Sequence, residues 1–199
     1  MACRVQSKIV LITVCIHLLC FSACKKSDYT TDFFYYKTDS LKSGDIILRK
    51  SYGLVSDIIV RQLNDTVDIS HCGILIKNGN NFIVIHSLDK SVSDADGIQS
   101  CSLEYFWVDS RPETVKVMRF NKDTSNRIAK MAEYYLKKKV KFDKEINLND
   151  TNAFYCSELP YHIINKEFNI KIASSDKLLK FSAFFNREYF SEIRFVYKK

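Results

Sequence analysis

The chain has 199 residues, enough for one domain with a sizeable core or at most two very small ones. Hydrophobic residues make up 46% and charged residues 27%, which argues against wholesale disorder, and 5 Gly with 2 Pro exclude collagen-like and Pro-rich scaffolds. The net charge of +7 comes largely from scattered lysines with no binding motif around them, so it suits an anionic membrane or wall surface and is not a nucleic-acid signature.

Arg4 and Lys8 precede an apolar run, Ile9 to Phe21, interrupted only by Thr13 and His17. The run is short for a membrane span and has the layout of a secretory signal. It closes on Phe21-Ser22-Ala23-Cys24, where small residues before a cysteine resemble the bacterial lipobox, with Phe21 in the usual place of an aliphatic residue. The expectation is a lipoprotein signal peptide over 1–23, a lipidated Cys24 with a tether over 24–40, and an exported domain over 41–199 held at a bacterial membrane. Of seven cysteines, Cys24, Cys72, Cys101 and Cys156 survive cleavage. Beyond the lipidation site that leaves an odd number, so at least one thiol is free unless it pairs between chains; a Cys72–Cys101 disulfide stays open. No CxxC occurs, against a thioredoxin-like motif or a zinc knuckle.

In the domain, Gly44-Asp45 opens a β-rich run, Ile46 to Arg49, and residues 54–63 carry Leu54, Ile58, Ile59 and Leu63 at helical spacing. Strands are predicted at 70–77 and 80–87 around Asn78-Gly79, a strong hairpin signal. A two-residue turn there pairs Lys77 with Asn80 and sets His71 directly opposite His86 on one face. Ile74, Ile76, Ile83 and Ile85 fill the other face, while Leu75, Phe82 and Val84 share the histidine face. With both faces apolar, the hairpin belongs inside a sheet. A short amphipathic piece (Leu103, Phe106, Trp107) leads to a strand over Val115 to Phe120. Asp123 or Thr124 caps a helix through Lys139 with Ile128, Met131, Tyr135 and Leu136 on one face. The next helix begins near Cys156. Phe181, Phe184, Phe185, Tyr189 and Phe190 follow at helical spacing as core or lid packing, then a β-rich Ile193 to Tyr197.

Cys156, Leu159, Ile163 and Ile164 form one helical stripe after a loop-like stretch, which sets the thiol at a helix N-terminus, where backbone N–H groups lower its pKa. Glu158 suits the first turn as a cap. The ordered set Gly44-Asp45-Ile46-Ile47, Ser70-His71-Cys72-Gly73-Ile74, Val84-Ile85-His86, Phe142-Asp143 and Tyr155-Cys156-Ser157-Glu158-Leu159 resembles the YiiX-like branch of the permuted NlpC-type, papain-like cysteine hydrolases. That resemblance implies an α+β, circularly permuted papain-like fold, with a central antiparallel sheet, the histidine strands first and the nucleophile on a helix N-terminus last. It matches Cys156 to the nucleophile, His71 to the general base and His86 to the third polar position, with Tyr155 and Ser157 as oxyanion-side neighbours. It gives Phe142-Asp143 no role. His86 stands where this branch commonly has Glu, and Pro160 where an aliphatic residue is usual; proline lacks an N–H, so the helix must begin near Ser157 or kink.

The leading function is therefore a lipid-anchored cysteine hydrolase cleaving an amide bond, with cell-wall peptide (peptidoglycan) as the partner and no cofactor. Two alternatives stand beside it: lipid or acyl ester chemistry of the lecithin–retinol-acyltransferase-like type, and a non-catalytic binding lipoprotein on the same fold. A zinc site from His71, His86 and Cys156 ranks below these because no carboxylate general base accompanies it, so no metal is expected.

Overall fold

Period-two alternation of apolar residues builds the centre of this protein, and period-3.6 stripes cover it. The computed structural model describes residues 35–37, 39–148, 150–173, 178–194 and 196–198. The expected signal peptide, Cys24 and almost all of the tether lie outside the described residues. All the described residues but Tyr35 fall in one unit, Tyr36–Lys198.

The strands are β1 (Tyr35–Lys37), β2 (Ile46–Arg49), β3 (His71–Asn78), β4 (Asn81–Leu88), β5 (Gly97–Ser102), β6 (Lys116–Phe120), β7 (Phe190–Glu192) and β8 (Val196–Lys198). A six-stranded sheet runs β5-β4-β3-β2-β6-β7, and β1 and β8 form a separate two-stranded sheet. Every pairing of the six-stranded sheet is antiparallel. The helices are α1 (Leu54–Leu63), α2 (Leu103–Val108), α3 (Arg127–Lys138) and α4 (Glu158–Phe168).

Alternation along β2, β3 and β4 sends side chains to two cores. Ile46, Leu48, Cys72, Ile74, Ile76 and Ile85 meet Ile128, Ala132 and Tyr135 of α3 and Leu159, Ile163 and Ile164 of α4. On the opposite face Ile47, Leu75, Phe82, Val84 and Val117 meet Leu103, Phe106 and Trp107 of α2. Each aliphatic side chain so buried contributes about 1.5–3 kcal/mol. The hairpin lies inside the sheet, as its two apolar faces require. The Gly44-Asp45 pair fixes the start of β2. Gly44 takes a φ of +93°, and the buried Asp45 carboxylate holds Arg119 in a two-pronged bond at 2.7 and 2.8 Å. Asp123 caps α3 by accepting from the amides of Arg127 and Ile128, both at 2.9 Å.

Two expectations need correction, and one open alternative is decided. The hairpin turn is centred on Gly79-Asn80, so Asn78 pairs with Asn81 and Lys77 with Phe82. Only the first central residue, Gly79, is left-handed (φ +61°), the type II′ pattern, which centres the turn one residue later than the Asn-Gly reading. The aromatic tail is not a continuous helix: a 3-10 turn, Phe181–Phe185, is followed by β7. Asn186 diverts the chain, its carbonyl accepting from the amides of Tyr189 and Phe190 at 3.0 and 2.9 Å. Phe181, Phe184 and Phe190 are nevertheless buried core, as their spacing implied. The Cys72–Cys101 disulfide does not form; Cys72, Cys101 and Cys156 are free thiols, and the first two face opposite sides of the sheet. In α1, Leu63 is buried while Leu54 and Ile58 of the same stripe are exposed.

Candidate active site

His71 begins β3 and His86 lies near the end of β4, both buried on the α2 face. The observed register carries His86 two residues away from the position opposite His71, which preserves the face, because a shift by an even number of residues leaves side chains on the same side. The rings therefore meet on a diagonal, with His71 Nε2 and His86 Nδ1 2.8 Å apart. Gly73 opens that diagonal. A Cβ there would run into Val84 Cγ1 and come within 3.2 Å of His86 Cβ.

Phe106 of α2 roofs both rings at centroid distances of 5.7 and 5.8 Å. Arg49, the residue opposite His71 on β2, stacks over Phe106 at 4.1 Å, donates to its carbonyl at 2.5 Å and pairs with Asp109 at 2.7 Å. Burial lowers both imidazoles, and the Arg49 charge lowers them further: His71 falls well below its ordinary 6.5, also pushed by His86, and His86 falls to about 3. At neutral pH both rings are uncharged. In the tautomer that leaves His71 basic, Nε2–H donates to His86 Nδ1 and His71 Nδ1 is open to a proton. Sequence reading missed Arg49; a lone arginine closing a run of buried aliphatics was its only signal.

Cys156 lies just ahead of α4, preceded by a loop that two strand residues hold in place. Ser87, next to His86, donates to the Phe154 carbonyl at 2.5 Å, and Cys72, next to His71, donates from its thiol to the Cys156 carbonyl at 3.2 Å. Among the described residues, neither imidazole is hydrogen-bonded to the Cys156 thiol: the histidines lie against Phe106 on the α2 face, whereas Cys156 packs against the core on the other face. Burial raises that thiol to about 11, while the backbone amides of Ser157, Cys156 and Cys72 pull it down. The expected lowering by the helix start is present but outweighed by desolvation, so the resting sulfur is a thiol.

Tyr155 and Ser157 direct their side chains to the C-terminal segment. The Tyr155 hydroxyl accepts from the Leu179 amide at 2.9 Å, and the Ser157 hydroxyl donates to the Leu179 carbonyl at 3.1 Å. Both side chains anchor the chain around Cys156 to the C-terminal segment. The buried Asp143 carboxylate accepts from the amides of Glu145, Ile146 and Asn147 at 2.9, 3.0 and 2.6 Å, which organises a loop beside Cys156. Ile59, Leu63, Phe142, Ile146, Leu178 and Phe181 line a cleft of about 180 Å³ that contains Cys156. A second cleft, about 290 Å³, contains His71, Arg49 and Ser70, and Ile59 lines this one too.

Glu158 caps as expected, its carboxyl oxygen accepting from the Tyr155 amide at 3.2 Å. Burial pushes its carboxyl up to about 8, with the Tyr155 amide pulling down and the charge of Asp143 raising it. The folded state thus holds this proton more tightly than the unfolded chain, whose carboxyl titrates near 4.5. Stability from this group is complete below that value and is lost as the pH rises to about 8. Glu158→Gln keeps the accepting oxygen and has no proton to lose. Its Tm relative to the native protein is expected to climb steadily between about pH 5 and pH 8; a difference that is flat with pH would contradict this assignment.

Residues 40–188 match the profile of a family described as permuted papain-like amidase enzyme, YaeF/YiiX, C92 family. The fold is similar to that of a solved structure described as the metalloprotein yiiX from Escherichia coli O157:H7, with a TM-score of 0.62 and 16% identity over 78% of this chain and 97% of that one. No curated protein matches the sequence. His71 and His86 spend a ring nitrogen each on one another, and among the described residues no group of three or more His, Cys, Asp or Glu is gathered as an ion would need.

Proposed function

From the premise that this chain belongs to the permuted papain-like amidases of the YaeF/YiiX type, the C92 family, we propose that it is a lipid-anchored cysteine hydrolase that cleaves amide bonds of cell-wall peptides. The observation that carries this reading is the bond between two strand-borne histidines, His71 Nε2 to His86 Nδ1 at 2.8 Å, on a strand whose next residue, Cys72, donates to the carbonyl of Cys156 at the helix start.

In this reading the Cys156 sulfur attacks the carbonyl carbon while its proton passes to His71 Nδ1. His71 then returns that proton to the leaving nitrogen, and water releases the acyl group. The Cys156 backbone N–H at the helix start supplies one donor to the developing oxyanion. His86 orients His71 and, being neutral, adds no charge to stabilise an imidazolium. Because both partners rest uncharged, sulfur attack and proton transfer are coupled, unlike in an enzyme with a standing thiolate–imidazolium pair.

The anchor rests on the sequence around Cys24, and among the described residues no helix is long and apolar enough to cross a membrane. A second reading draws on the cleft at Cys156, whose aliphatic and aromatic lining suits a hydrocarbon acyl group and hence ester or acyl-transfer chemistry on lipids.

The test is to incubate the purified protein and its Cys156→Ala variant with defined cell-wall peptide fragments and, separately, with acyl esters, reading products by mass spectrometry. Cys156-dependent peptide cleavage is the expected result. Cleavage of acyl esters alone would transfer the assignment to the second reading. Silence on both would leave a binding lipoprotein on an inactive fold. The mass of the native N-terminal peptide reports on the anchor, which requires a diacylated Cys24.

A further inference from the structure

Pro160 leaves a gap in the first turn of α4. In an α-helix the carbonyl of residue i accepts from the amide of residue i+4, so the Cys156 carbonyl would take its bond from residue 160, and proline has no N–H to give. The neighbouring rung is intact, Leu159 N–H reaching the Tyr155 carbonyl at 3.3 Å. Into the gap comes the Cys72 thiol, fully buried on β3 and 3.2 Å from the Cys156 oxygen.

We propose that Cys72 is a positioning residue for the nucleophile, its S–H replacing the hydrogen bond that Pro160 withholds and so clamping the Cys156 turn to the strand that carries His71. This rests on the reading of Cys156 as nucleophile. Residue 72 touches Cys156 through its thiol, which donates to the carbonyl, and its backbone amide is one of those that favour the ionised sulfur. Strand alternation turns the His71 ring to one face and the Cys72 thiol to the other. One peptide therefore presents the base and fixes the turn that bears the attacking atom. Burial, reinforced by Cys156, holds the Cys72 thiol well above its ordinary 9.0, so it keeps its proton and remains a donor at any working pH.

The test is a double-mutant cycle of Cys72→Ala and Pro160→Ala, with Cys72→Ser as the conservative variant. It is read by kcat and KM and by the rate at which iodoacetamide labels Cys156, mapped by peptide mass spectrometry. Cys72→Ala is expected to lower kcat and the labelling rate about three- to tenfold with KM unchanged, the weight of one net hydrogen bond. Cys72→Ser, which retains a donor, recovers most of that loss. In the Pro160→Ala background the new amide supplies the bond, and Cys72→Ala then costs nothing further. An equal loss in both backgrounds, or a serine as slow as alanine, would overturn the clamp. Turnover that survives Cys156→Ala would remove the catalytic reading instead, with the labelling cycle still deciding the clamp.

Discussion

Alanine at Cys156 or at His71 is expected to cut turnover at pH 7 by about four orders of magnitude or more, with the double variant little worse than either alone. The two losses have different causes, and pH separates them. Without its sulfur the protein has no nucleophile at any pH. Without His71 the sulfur is intact, but burial holds it at about 11, so the thiolate is only about one part in ten thousand at pH 7 and grows about tenfold per pH unit. The His71→Ala rate should therefore climb with slope one in a plot of log rate against pH, while Cys156→Ala stays flat at background. His86 acts one step further out, holding His71 through the 2.8 Å bond. His86→Ala is expected to keep partial activity. His86→Glu should keep most, since the nearby Arg49 can balance the new charge and the carboxylate supports an imidazolium. A silent His86→Ala would remove the third member of the triad and leave the Cys156–His71 pair standing.

Gly73→Ala is expected to destabilise the fold and disable the site together. Its Cβ would push into Val84 Cγ1, to 3.0 Å from the Ile85 carbonyl and 3.2 Å from His86 Cβ. β3 and β4 are interior strands, so backbone and two packed side chains would have to give way, at a cost of about 1–3 kcal/mol. For a chain of this size that lowers Tm by roughly 2–4 °C per kcal/mol. Activity measured far below Tm should fall as well, because the methyl group wedges into the space that lets the histidines meet. Asn80→Ala in the same hairpin turn is the control: residue 80 is exposed and is not among the residues with positive φ. Thermal unfolding and cold activity of the two variants should separate sharply; equal behaviour would mean that Gly73 serves only as flexible chain.

Much of this architecture follows from local pattern. The alternation of Ile74, Ile76 and Ile85 against Leu75, Val84 and the histidines assigned faces correctly even with the register wrong, because period two is unchanged by a shift of two residues. The stripe of Leu159, Ile163 and Ile164 was enough to place Cys156 at a helix start, and Pro160 to say where that helix must begin. Strand β5, carrying Gln99 and Ser100 within Gly97–Ser102, has no clear apolar alternation, and it was invisible for that reason.

What only tertiary structure decided is whatever depends on partners distant in the chain or on collective burial. Nothing near Cys72 announces a bond to the Cys156 carbonyl 84 positions away. Nothing near Tyr155 or Ser157 shows that their hydroxyls belong to Leu179. The charge state of the site is the plainest case: the backbone amides at the helix start lower the Cys156 thiol as its sequence implies, but burial raises it to about 11. Sequence determined which residues share a face and which stand at element ends, because those are short-range geometric facts. The fold determined register, partners and protonation, because each is a sum over neighbours that only packing brings together.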